Sequence, residues 1–128
     1  MTSSARDLSL EHGPVSSLFD RPRSPDDWKR YELSSEQLES FRERGYVDGI
    51  RILEEDQVDA LREELARLVD PSHPGNSLFY EFHSNEAVDP SKVVFHALGA
   101  WRIEAGFHDL LWAPAFRMAA YQLLGGPV

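Results

Sequence analysis

The spacing of apolar residues divides the chain into helical and extended stretches. Leu38 and Phe41 share one helical face, and Ser34 stands before them as an N-cap with Gln37 as its capping-box partner. Leu33 and Leu38 occupy the two positions of a hydrophobic staple, and Gly45 supplies the stop, so a helix is predicted over 35–44. Residues 46–53 (YVDGIRIL) carry β-branched residues and predict a strand, weakened by Gly49. Val58, Leu61, Leu65 and Leu68 then form an apolar stripe and predict a helix over 54–69. Its first turn holds Glu54, Glu55 and Asp56, where the helix dipole favours negative charge, and Glu63 and Arg67 are spaced as a supporting pair. Pro71 and Pro74 end it.

The second half is the more apolar. Residues 72–76 read as a loop, 78–82 (LFYEF) as a short aromatic strand or extended lid, and 85–91 as a polar loop. Residues 92–98 (KVVFHAL) read as a buried strand, with Gly99 at the turn. A short helix is predicted over 104–112, with Phe107, Leu110 and Leu111 on one side. Pro114 opens the next helix, where its missing N–H costs nothing. Phe116, Ala119, Ala120, Leu123 and Leu124 form one face of that helix, and Gly125 ends it. Gly125-Gly126-Pro127-Val128 reads as a helix end followed by the start of a new element. The expectation is therefore the front part of a larger enzyme, cut before its active-site residues.

Composition adds a leader and a charge sign. Residues 1–30 are rich in Ser, Pro and Asp and read as a mostly unstructured leader, in which Leu18, Phe19 and Trp28 are the residues able to dock onto the body. The net charge is −9, and because residues 1–30 hold five charges of each sign, the excess lies wholly in 31–128. An acidic surface without a Lys/Arg cluster argues against nucleic acid and anionic membranes as partners. The absence of cysteine excludes disulfides and thiolate metal sites. No apolar run is long enough to span a bilayer, and residues 1–13 lack the apolar core of a secretory signal, so a cytoplasmic location is expected.

Five histidines invite a search for a metal site. A facial triad needs two His and a carboxylate, most compactly supplied by His-x-Asp or His-x-Glu on a strand. No such triplet occurs at His12, His73, His83, His96 or His108. His108 is followed directly by Asp109, which is expected to project elsewhere. His96 and His108 read as core or rim histidines with hydrogen-bond partners. There is no H-E-x-x-H, no G-x-S-x-G and no phosphate loop. The acidic cluster 54–64 reads as a solvated helix face rather than a cation site.

Three segments in order resemble the N-terminal part of the phytanoyl-CoA dioxygenase family. They are LSSEQLESFRERGYVDGIRILEEDQVDALREELARL (33–68), KVVFHAL (92–98), and FHDLLWAPAF (107–116) leading to LLGGPV (123–128). The resemblance implies an α+β fold, with a helical scaffold plus the first strands of a double-stranded β-helix (jelly-roll, cupin-like), truncated before the catalytic core. It implies an Fe(II)- and 2-oxoglutarate-dependent oxygenase that consumes O2 and hydroxylates an unactivated C–H bond of a small organic or acyl substrate. The iron ligands and the cosubstrate arginine would lie beyond Val128, leaving this piece inactive alone. Lys92 matches the position of a basic residue near 2-oxoglutarate; a strand-start lysine with its head in water is the competing reading. Phe79, Tyr80 and Phe82 either line the substrate mouth or pack under the loop. The alternative function is a small acidic, non-catalytic protein-interaction module that uses the apolar face of 113–124.

Overall fold

The chain is described here by a computed structural model covering residues 5–127. Five α-helices are present: α1 (Pro25–Lys29), α2 (Ser35–Arg44), α3 (Glu55–Leu68), α4 (Ala105–Asp109) and α5 (Pro114–Leu124). Two short strands, β1 (Glu81–His83) and β2 (His96–Leu98), pair antiparallel, so the fold is α+β with a small sheet. None of the described helices is long and apolar enough to cross a membrane.

Local signals place the helix ends. In α2, Ser34 Oγ accepts from the Gln37 N–H at 3.1 Å while Gln37 Oε1 accepts from the Ser34 N–H at 2.9 Å. This reciprocal cap satisfies two of the donors that a helix start leaves orphaned. Gly45 (φ 78°) and Gly125 (φ 76°) close α2 and α5 in the left-handed conformation. The predicted helix over 104–112 divides into α4 and a 3-10 turn, Leu110–Trp112.

The expected strands fare differently. Residues 46–53 join no ladder, and Gly49 at φ 71° lies outside the β region halfway along. Of residues 92–98 only His96–Leu98 pairs, and Val93 and Val94 are 73 % and 49 % exposed, not buried as expected. Leu78 belongs to a 3-10 turn, Asn76–Leu78, and the strand begins three residues later than expected. A strand needs a partner, and among the described residues neither 46–53 nor 92–95 forms a ladder with one.

The predicted leader is folded. Residues 8–10 form a 3-10 turn, Pro25–Lys29 a capped helix, and Leu8 and Phe19 are buried. The Gln57 side chain on α3 donates to the Leu18 carbonyl at 3.0 Å, and Gln122 on α5 accepts from the Leu33 N–H at 2.7 Å. Residues 7–33 thus form a strap across the body. Its Ser- and Pro-rich composition hides this, because the strap is held by hydrogen bonds to distant residues together with only a few buried side chains, Leu8, Phe19 and Leu33.

The inner face of α3 departs from its apolar stripe. Leu61 and Leu68 are buried, but Leu65 is 41 % exposed and Glu64 takes the inward position. Arg67 pairs with Glu104 at 2.8 Å instead of with Glu63. Leu68 is fully buried. Leu68→Ala is expected to cost about 3 kcal/mol by lost burial and cavity formation, read as a lowered urea midpoint with an unchanged slope.

Candidate functional site

Two clusters of histidine and carboxylate stand apart, a buried one under the strap and an exposed one on the β-ribbon, while His73 pairs separately with Glu104 at 3.3 Å. In the first, His108 and Asp109 are each only 1 % exposed. Asp109 Oδ1 accepts from His108 Nδ1 at 2.8 Å and from the Val15 N–H at 2.8 Å. Its Oδ2 accepts from the Ser16 N–H and the Ser16 hydroxyl, both at 2.6 Å. The carboxylate is therefore a hub with four donors. The two adjacent side chains meet, contrary to the expectation that Asp109 projects away from His108, because the last turn of α4 passes into the 3-10 turn at this point. Ser16, Asp109 and His108 contain the residue types of a hydrolytic triad in the wrong order. The carboxylate lies between serine and histidine, so no base reaches the hydroxyl, and the arrangement is a latch for the strap.

A second, half-buried carboxylate caps α4. Glu64 Oε1 and Oε2 accept from the Gly106 and Phe107 N–H groups at 2.8 and 3.1 Å. Burial raises the Glu64 pKa most, and the two backbone donors act against it. A Cβ at residue 106 would lie 2.7 Å from a Glu64 oxygen, which accounts for the glycine there. Neither Asp109 nor Glu64 was marked as structural by periodicity. The acidic cluster 54–64 reads as a solvated face in sequence, and five of its six carboxylates do sit on an exposed one; Glu64 is the exception.

The β-ribbon carries the exposed cluster. Register places Glu81 opposite Leu98, Phe82 opposite Ala97 and His83 opposite His96. The pleat sends Phe82 to one face, where it packs on Phe79 (centroids 5.2 Å apart) and edge-on to Phe95 (5.5 Å). Phe79 and Phe82 pack together, whereas Tyr80 is 61 % exposed beneath the Arg102 guanidinium, 4.7 Å from its ring. The opposite face presents Glu81, His83 and His96, with the half-exposed Leu98 across from Glu81. His83 Nε2 donates to Glu81 Oε1 at 2.9 Å, and His96 Nδ1 donates to Glu86 Oε2 at 3.1 Å. The two imidazoles lie with centroids 5.7 Å apart. No group of three or more His, Asp or Glu converges as a ready-made metal site among the described residues.

Lys92 belongs to neither cluster. It follows a turn in which its N–H donates to the Asp89 carbonyl at 3.1 Å. Its ammonium is 3.7 Å from Asp89, with the side chain 74 % exposed. The basic residue expected beside a cosubstrate thus sits with its head in water. A cleft of about 500 Å³ lies between the strap, residues 50–57 and α5, lined by Phe19, Leu33, Ile50, Ile52 and Pro114. Four of the charges on its rim are paired, Arg30 with Asp20 and Arg51 with Glu54, while Glu32 joins no ion pair among the described residues. No protein-family model matches the chain, and no curated protein matches it in sequence.

The latch gives a pH prediction. Burial would raise the Asp109 pKa, but its donors, Ser16 and His108 foremost, outweigh burial and lower it. A depressed native pKa means that the latch contributes fully above the ordinary aspartate value of about 4 and is lost as pH falls toward the native value. Asp109→Asn is expected to cost about 3 kcal/mol at neutral pH, with the difference from wild type shrinking as pH falls below about 4, followed by urea unfolding across pH.

Proposed function

We propose that the chain is the N-terminal scaffold of an Fe(II)- and 2-oxoglutarate-dependent oxygenase of the phytanoyl-CoA dioxygenase kind. The reading rests on the ordered resemblance of residues 33–68, 92–98 and 107–116 leading to 123–128. The structural observation that carries it is apolar exposure within those segments. Val93, Val94 and Leu98 are 73, 49 and 54 % exposed on extended backbone, and Phe116 and Leu124 are 49 and 73 % exposed on α5. Burial of this surface against further strands of a double-stranded β-helix would remove it from water. Exposed apolar residues on a short sheet and its flank are otherwise a liability.

The described residues do not fit an iron or 2-oxoglutarate site. No three ligands converge, and Lys92 pairs with Asp89 in water. In this reading the group, when bound elsewhere in the parent, supplies oxygen activation coupled to conversion of 2-oxoglutarate to succinate and CO2. Residues 5–127 supply the scaffold: α3 and α4 joined by Glu64, the strap held by Asp109, and the ribbon stiffened by Phe79, Phe82 and Phe95.

The same exposed residues of α5 favour a second reading, a non-catalytic module that binds a protein partner through 113–124. Turnover separates the two. The product of the complete reading frame containing this chain is expected to form succinate from 2-oxoglutarate with Fe(II) and O2, while residues 1–128 alone form none. Absence of iron-dependent succinate from the complete product, together with no anaerobic binding of 2-oxoglutarate, would overturn the oxygenase reading in favour of the module.

A further inference from the structure

We propose that the exposed face of the β-ribbon is a binding clip for a borderline transition-metal ion such as Zn(II), with His83 and His96 as its two protein ligands. The site is separate from the iron chemistry proposed above and needs no residue outside the ribbon and its loop.

Three observations converge on this face. The first is register: His83 and His96 are direct cross-strand partners, so both side chains leave the sheet on the same side. The second is separation. A metal about 2.1 Å from a ring nitrogen lies about 3.2 Å from that ring's centroid, so two imidazoles sharing one ion have centroids about 5.2 Å apart in tetrahedral and about 6.4 Å apart in linear ligation. The observed 5.7 Å falls within that interval, before any rearrangement of the strands. The third is the outer partners. Each ring already donates one N–H to its own carboxylate, His83 to Glu81 and His96 to Glu86. Metal-binding histidines are oriented and made more basic in this way. The bonds leave His83 Nδ1 and His96 Nε2 without hydrogen-bond partners among the described residues, and these are the nitrogens that would take the ion.

The ligand set decides the ion. Two imidazoles with neighbouring carboxylates suit Zn(II), Ni(II) or Cu(II), while Mg(II) and Ca(II) prefer oxygen cages. The carboxylates also make the surroundings of a dication negative. With two protein ligands the remaining positions go to water, so the clip is of micromolar rather than structural affinity and is open to exchange.

Zn(II) titration of the untagged 128-residue chain by calorimetry tests the clip. One equivalent is expected to bind in the micromolar range. His83→Gln and His96→Gln are each expected to weaken binding roughly tenfold or more, and Glu81→Gln to weaken it less. His73→Gln, which lies away from the ribbon, is expected to leave it unchanged. Both ribbon histidines are about half exposed, so polar replacements leave the core intact. A second readout needs no variant: substoichiometric Ni(II) should selectively broaden the His83 and His96 ring resonances in the wild-type chain. Binding that survives both ribbon substitutions, broadening centred on other histidines, or no Zn(II) binding up to millimolar concentration would each overturn the proposal. None of these outcomes bears on succinate formation by the parent.

Discussion

The structure depends on a carboxylate that cannot be left unpaired. Asp109 is 1 % exposed, and its charge is tolerated there because two backbone N–H groups, a hydroxyl and an imidazole N–H converge on it. Val15 and Ser16 reach it across 94 and 93 residues of chain. Without Asp109 the strap's turn at 15–16 would lose its acceptors; without the strap the carboxylate would keep one of its four donors. Each side of the latch therefore makes the other necessary, and Leu8 and Phe19 are brought to buried positions as a consequence.

The same device recurs where apolar burial is thin. Glu64 closes the N-terminus of α4 from α3, and Arg102 ties Asp7 of the strap to the Leu78 carbonyl, donating to the latter at 2.8 Å. Side-chain hydrogen bonds between distant elements do much of the joining that a larger core would do. Among the described residues the large aliphatic and aromatic side chains that are buried are Leu8, Phe19, Leu33, Leu61 and Leu68. Ion-assisted hydrogen bonds are directional, so they set the relative placement of strap, α3 and α4 more sharply than five side chains could alone.

What was legible in the sequence follows from this. Signals acting within four residues were readable: the Ser34–Gln37 box, Gly45, Pro114 and Gly125 all stand where the chain alone puts them. Signals acting across the chain were not. A Ser-Pro-rich leader looks unstructured until Asp109 is seen to hold it, and Glu64 looks like one more charge on an acidic helix until Gly106 is placed against it. The strands failed for the related reason that a ladder is a property of two segments. The β-branched content of 46–53 signals extension without saying what pairs with it, and Gly49 at φ 71° bends the segment in the middle. The histidine pair was not legible because the compact ligand pattern in a sequence is two residues apart on one strand. His83 and His96 stand 13 apart in sequence and opposite each other across two.

The ribbon's two faces put unlike demands on one short piece of sheet. Three strand residues from each side make too small a ladder to stand alone, and it is steadied by the stack of Phe79, Phe82 and Phe95 on one face. Beyond the strand end, Tyr80 donates its N–H to the Leu98 carbonyl at 2.8 Å and Glu86 donates to Val94 at 2.8 Å, which prolongs the pairing past three residues. Asn85 then accepts from both Ala87 and Val94 at 2.9 Å and closes the loop. The outer face inherits this rigidity without contributing to it. Glu81, His83 and His96 pack against no hydrophobic layer, yet they are held in register by residues that do. A polar cluster fixed in place by packing on the opposite side of the same sheet is already oriented for binding, and little of its binding energy would go into ordering it.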